Sequence, residues 1–208
     1  MELDLTDEAL VEKFRQTKDT TLFKSLVRRY QNRIYNAAYR MLGNKEEAEE
    51  IVQDTFIKMH QSIDQFRNQS TFASWTFKIS HNLAIDRLRV KKRRSVFQYF
   101  SFSSLSTASD NEDGKGGHVQ VADFKPDPGQ EADINEESRI IQESLGMLPE
   151  SQRAVLVLHD MEGLSYQDIA DIIGTSIGTV RSRLHYGRIK LKEILAPYYS
   201  NNSTIKLG

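Results

Sequence analysis

The chain has 208 residues, room for one or two domains with modest cores, and no cysteine, which excludes disulfides and thiolate metal sites. No apolar run approaches the ~20 residues of a membrane span, and the start, Met1-Glu2-Leu3-Asp4-Leu5, is acidic where a signal peptide would be basic, so a soluble cytoplasmic chain is expected. The net charge of −1 argues against a nucleic-acid partner only until its distribution is considered: Lys24 to Arg94 holds 15 Lys or Arg against 7 Asp or Glu, and Ser95 to Glu150 holds 3 against 11. Asymmetry of this kind is a nucleic-acid signal.

In chain order, Leu10, Val11 and Phe14, then Leu22, Phe23, Leu26, Val27 and Tyr30, then Ile34, Ala37, Ala38, Met41 and Leu42 recur at steps of three and four, which predicts helices throughout the first third. Gly43-Asn44 stops one helix. Lys45-Glu46-Glu47-Ala48-Glu49-Glu50 opens the next, with carboxylates where the helix dipole favours them. That helix is expected to run through Ile51, Val52, Phe56 and Met59 to about Ile63. Glu50, Gln53 and Asp54, spaced i, i+3, i+4, share one of its faces and suit a basic partner; a solvated charged face is the plainer alternative.

A polar loop, Arg67-Asn68-Gln69-Ser70, precedes a predicted helix from Phe72 to Arg94. Its last eight residues carry six cations, Arg87, Arg89, Lys91, Lys92, Arg93 and Arg94, suited to neutralising phosphates without reading sequence. Ser95 to about Asp133 is serine-rich, glycine-containing and acidic, without helical period, and is expected to be a flexible acidic linker. Helical spacing returns from Ile134 through Ile140, Ile141 and Leu145, breaks at Pro149, and resumes with Ala154, Val155, Leu156 and Leu158.

The segment Gly163 to Arg183 reads as a helix-turn-helix. Ser165 stands as an N-cap, its oxygen ready for an orphan backbone N–H. Ile169, Ala170, Ile172 and Ile173 give an apolar face, Gly174 ends the helix, and a second helix starts near Ser176 with Thr179, Arg181, Ser182 and Arg183 in its first turns. In such motifs the N-terminal part of the second helix enters the major groove. Val180 and Leu184 are expected to turn inward. Arg181 and Ser182, with His185 and Tyr186 a turn on, are the candidates for base contact, and Arg183 and Arg188 for phosphate. Gly187 inside this helix predicts either a close backbone approach or fraying.

Three motifs in this order resemble the extracytoplasmic-function (group four) sigma factors of bacterial RNA polymerase, over about Leu10 to Leu195. Glu47 through Phe56 looks like the family's polymerase-binding helix, Phe72-Ala73-Ser74-Trp75 through Ile79, Asn82, Asp86 and Arg89 like its minus-ten helix, and Leu148-Pro149-Glu150 with the helix-turn-helix like its minus-thirty-five reader. The resemblance implies an all-α fold of two small helical domains, a sigma2-like bundle at 8–95 and a sigma4-like domain at 134–196, around a linker at 96–133 and a tail at 197–208 without period. It implies core RNA polymerase (the β′ clamp and the β subunits) and promoter DNA as partners, with Glu50, Gln53 and Asp54 meeting the clamp, an anti-sigma factor as inhibitor, and no cofactor or metal.

It also makes the loop from Gln65 to Phe72, with Arg67, Asn68, Gln69 and Ser70, a pocket for a flipped minus-ten base, supported by Asn82, with Lys78, Arg87, Arg89, Lys91, Lys92 and Arg93 along the same helix toward DNA. Trp75 reads as core in preference to a stacking platform. Thr76 stands where the housekeeping members carry a second strand-wedging tryptophan, which implies weaker melting and stricter promoters; Tyr186 stands where the family often has Arg. Ser176 and Thr179 complete the minus-thirty-five set.

The rival from residues alone is an ordinary helix-turn-helix regulator that binds duplex DNA by itself. It leaves the Glu50-Gln53-Asp54 face and the loop before Trp75 unexplained. An enzyme is not expected: His60, His81, His118, His159 and His185 are scattered, and no acid–base pair, nucleophile elbow or phosphate-cradling loop is legible.

Overall fold

Most of the helices begin on a side chain that satisfies one of their orphan donors. Thr6 accepts from the Ala9 N–H and opens α1 (Asp7–Thr17); Asp19 accepts from Thr21 and opens α2 (Thr20–Leu42), which ends on Gly43 at φ 71°. Asn44 accepts from Glu47 at 2.7 Å and opens α3 (Lys45–Ser62), followed by a 3₁₀ turn at Ile63–Gln65 and by α4 (Phe72–Ser103). After α5 (Glu136–Gly146), α6 (Glu150–Leu156) runs into a π turn at Val157–Met161, and α7 (Tyr166–Ile173) and α8 (Ile177–Asn202) complete the chain. The computed structural model describes residues 5–67, 69–103 and 136–202, and among them every regular element is helical. Asn68, the rest of the expected linker and the last six residues lie outside the described residues.

Helices α1 to α4 close around Leu10, Leu26, Ile34, Ile51, Met59, Phe72 and Phe77, and α5 to α8 around Leu145, Val155, Leu158, Ile169, Val180 and Leu184; none of these is more than 2% exposed. The helix expected to stop at Arg94 continues to Ser103. No Gly or Pro interrupts Phe72 to Ser103, so nothing in the backbone chemistry ends it at the basic run. Helix α8 likewise passes through Pro197 to Asn202, into the segment expected to lack structure. Proline there removes one backbone donor, and water can satisfy the carbonyl left behind at an exposed stretch.

The two sets of helices pack directly on each other: α2 touches α5, α6 and the π turn, and α4 touches α7. Their contact is rich in polar groups. Arg33 Nε meets Glu162 Oε2 at 3.0 Å, Arg153 donates to the Met41 carbonyl at 2.6 Å, Gln142 Nε2 donates to the Tyr39 carbonyl at 3.0 Å, and Ser74 Oγ donates to Asp168 Oδ1 at 2.6 Å.

Gly187 sits where α8 crosses α6. A Cβ there would lie 3.1 Å from Leu156 Cδ1 and 3.4 Å from Gln152 Cβ, so of the two sequence readings close approach holds. A Gly187→Leu chain should lose on the order of 1–3 kcal/mol through overpacking. An unchanged or raised melting temperature would show that the crossing has slack. His81 on α4 is 6% exposed with Nδ1 unpartnered by protein, and burial pushes its pKa down to about 4. Asp86 and Arg89 of the same helix, Glu150 of α6 and Arg183 of α8 line the cleft beside it. The unfolded chain protonates this imidazole near pH 6.5 and the folded chain resists until about pH 4, so its contribution is complete above pH 6.5 and lost on acidification between those values. Between pH 7 and pH 5 the wild type should therefore lose about 2 kcal/mol more than His81→Gln in urea unfolding. Parallel losses in the two chains would remove His81 from the account of acid stability.

Candidate nucleic-acid interface

The loop before α4 is braced from both sides by residues of α1. Arg15 Nε donates to the Ile63 carbonyl at 3.0 Å, and its Nη2 donates to the carbonyls of Ile63 and Phe66. Glu8 Oε1 accepts the Phe72 N–H at 3.1 Å and Thr71 Oγ1 accepts the Ser74 N–H at 3.1 Å, so the first turn of α4 is capped by a carboxylate and a hydroxyl. Phe66 rests edge-on against Phe72, centroids 5.6 Å apart, and 5.4 Å from Trp75. Between these fixed points Arg67, Gln69 and Ser70 are exposed. Sequence reading missed Glu8 and Arg15, because braces 48 to 64 residues away leave no local pattern.

Trp75 is half-buried in that aromatic cluster, in keeping with the core reading. Thr76 is fully buried. Its side chain is therefore part of the core of the bundle. Lys78 and Asn82, one turn apart on α4, are exposed.

Helices α3 and α4 run antiparallel, and this brings together side chains expected to serve different partners. Arg87 lies 2.6 Å from Glu50 and 4.0 Å from Asp54, and Lys91 lies 2.5 Å from Glu47. Two of the cations expected on DNA thus sit on the acidic face expected on polymerase. All of these groups except Glu47 are 41–53% exposed, so the pairs contribute at most about 1 kcal/mol each and can exchange partners. Gln53 is exposed beside them. Arg89 pairs with Asp86 at 3.1 Å, Arg93 donates to the Arg89 carbonyl, and Lys92 is exposed.

The helix-turn-helix forms as the sequence dictates. Ser165 Oγ accepts the Asp168 N–H at 3.1 Å and donates to Asp168 Oδ2 at 2.5 Å, closing a reciprocal cap on α7. Burial would raise the Asp168 carboxyl, but hydroxyl donors from Ser165 and Ser74 hold it below the ordinary range. Gly174 at φ 72° ends α7 with its N–H on the Ala170 carbonyl, and Ser176 Oγ caps α8 at the Thr179 N–H, 3.1 Å away. Val180 and Leu184 are buried, leaving Arg181, Ser182, His185 and Tyr186 exposed on the opposite side. Arg181 lies over the Tyr166 ring at 5.8 Å, and Arg188 is held by Asp160 with Nε to Oδ2 at 3.0 Å. Arg183 points into a cleft of about 460 Å³ that it shares with Asn82 and Arg89 of α4.

Among the described residues no group of His, Asp and Glu could hold a metal ion, and no helix is long and apolar enough to cross a membrane.

Residues 26–94 match the Sigma-70 region 2 family and residues 138–191 the Sigma-70 region 4 family. The ECF RNA polymerase sigma-E factor of Haemophilus influenzae is 35% identical over 193 residues, covering 93% of this chain and 97% of that protein. The ECF RNA polymerase sigma factor SigW of Bacillus subtilis is 34% identical, covering 85% and 90%. Among solved structures, the sigma factor RpoE in complex with the anti-sigma factor NepR from Bartonella quintana aligns with TM-score 0.60 at 26% identity, covering 84% of this chain and 96% of that one. Matches to regions 2 and 4 in chain order, together with relatives aligned across nearly their whole length, place the chain in the family of ECF RNA polymerase sigma factors.

Proposed function

We propose that the chain divides the work of an alternative sigma factor among three surfaces, with Glu50, Gln53 and Asp54 on polymerase, the loop and outer face of α4 on the minus-ten element, and the start of α8 on the minus-thirty-five element. Family membership makes it a factor that binds core RNA polymerase and directs it to promoters. The braced loop is the observation that supports the finer assignment. Arg67, Gln69 and Ser70 are held open by Arg15, Glu8 and the Phe66–Phe72 contact, as a pocket for an unstacked base requires.

On this reading residues 8–95 form the polymerase and minus-ten unit and 134–196 the minus-thirty-five unit. Asn82 and Lys78 extend the loop along α4, and Arg89, Lys92 and Arg93 follow toward phosphates. Arg87 and Lys91 have a double role. They neutralise the acidic face in the free chain, and a basic polymerase surface that takes Glu50 and Asp54 frees them for DNA. Arg181 and Ser182 read bases, His185 and Tyr186 lie one turn on, and Ser176 and Thr179 set the entry of α8 into the groove.

The catalysis of RNA synthesis belongs to the polymerase, and the chain works in the bacterial cytoplasm where the polymerase is. An anti-sigma factor fits as its inhibitor, since the RpoE–NepR complex has this fold.

A titration against bacterial core RNA polymerase tests the division. The Glu50→Lys, Asp54→Lys double variant should lose at least about tenfold in affinity, and Arg181→Ala should bind polymerase normally while weakening promoter use by ~1–3 kcal/mol. Unaltered polymerase binding by the double variant, or equal loss of both activities in Arg181→Ala, would sink the assignments.

A further inference from the structure

We propose that Tyr166, the first residue of α7, is a positioning residue for minus-thirty-five recognition: its ring holds the guanidinium of Arg181 where it reads a base pair. The inference rests on the sigma-factor reading of α8 and deepens it.

Arg181 and Arg188 stand about two turns apart on α8, with the buried Leu184 between them on the same stripe. Both therefore rise from the seam where α8 meets α6 and α7, yet they are held differently. Arg188 gives its donors to Asp160, Nε to Oδ2 at 3.0 Å and Nη2 to the other oxygen. Arg181 lies over the Tyr166 ring, Cζ 5.8 Å from its centroid, and among the described residues no carboxylate pairs with it. The difference is chemical. A carboxylate takes the N–H donors of a guanidinium, whereas an aromatic face attracts the charge while leaving those donors for another acceptor. Arg181 thus keeps the fork that matches the O6 and N7 edge of a guanine.

Tyr166 is itself fixed from behind. It is half-buried against the core, and the His159 ring lies 4.8 Å from it, tilted by 44°. His159 Nδ1 donates to the Leu164 carbonyl at 2.8 Å. His159 and Asp160 both belong to the π turn at Val157–Met161, after which the Glu162 N–H reaches back to the Val157 carbonyl at 3.1 Å. One wide turn therefore supplies both the ring that backs Tyr166 and the carboxylate that takes Arg188. Contact runs unbroken from this turn through His159 and Tyr166 to Arg181. A long side chain ordered before DNA arrives loses less rotamer freedom on binding. The ring's effect accordingly falls on discrimination between bases, and phosphate contacts are left as they were.

The test is selection from promoter fragments randomised at the minus-thirty-five element, by core polymerase reconstituted with the full wild-type or variant chain. Tyr166→Leu removes the aromatic face and keeps apolar bulk; Tyr166→Phe keeps the ring. Arg181→Ala should flatten the base preference at the positions that Arg181 reads. Tyr166→Leu should weaken preference at those same positions by about threefold to tenfold, the ratio expected of a partly desolvated cation–π contact. Tyr166→Phe should select as wild type does, and Tyr166→Leu should add nothing in the Arg181→Ala background. Polymerase affinity and melting temperature should stay at the wild-type values throughout. Wild-type preference in Tyr166→Leu, equal weakening at every position, loss in Tyr166→Phe as well, or effects of Tyr166→Leu and Arg181→Ala that multiply would each overturn the positioning role. A wild-type chain that forms no polymerase complex, or a complex that selects no sequence at this element, would refute the sigma-factor reading and the role of Tyr166 with it.

Discussion

Burial on more than one side of α4 governs the rest of the architecture. Phe72, Phe77 and Ala84 are at most 1% exposed, and α4 packs on α2, α3 and α7. A helix hemmed in this way needs small or neutral groups where neighbours come close, which accounts for Ser74, Thr76, Ser80 and His81 being buried along it. Because α4 cannot rotate, the loop ahead of it points outward, its basic half lies along the acidic face of α3, and its first turn meets α7. The acidic face of α3, the braced loop and the helix-turn-helix are therefore positioned against one element.

The charges follow from that placement. A net charge of −1 hides a basic segment of the bundle that is partly neutralised by its own α3. Exposed ion pairs of this kind stabilise little and exchange readily. On the proposed reading their use lies in specificity: the acidic face would accept a basic protein surface only by releasing cations, which would then be free for phosphate. Binding of polymerase and binding of DNA would then be linked through the same side chains, and linkage of binding free energies is reciprocal.

Much of this was legible in the sequence where physics is local. Ser165, Gly174 and Ser176 announce the helix-turn-helix because caps and left-handed glycines act within four residues, and Val180 and Leu184 turn inward because periodicity sets their face. The braces on the loop were not legible. Glu8 and Arg15 act across 48 to 64 residues, and nothing in either helix marks them. Nor was the contact between halves, since Arg33 and Glu162 are 129 positions apart and each looks like an ordinary surface charge. The continuation of α4 to Ser103 was obscured by composition, because serines and charges outweighed the absence of any glycine or proline. Gly187 left two readings open that only the position of Leu156 could decide.

On the proposed division of labour, two DNA readers that act together only on polymerase would distinguish this chain from a regulator that binds duplex DNA unaided. Footprinting on a promoter fragment with the chain alone, core polymerase alone and both together measures that difference directly. We expect no protection from the chain alone, and two protected segments about 25 base pairs apart only when both proteins are present. Strong protection of one duplex site by the chain alone, unchanged by polymerase, would contradict the division of labour proposed for its helices.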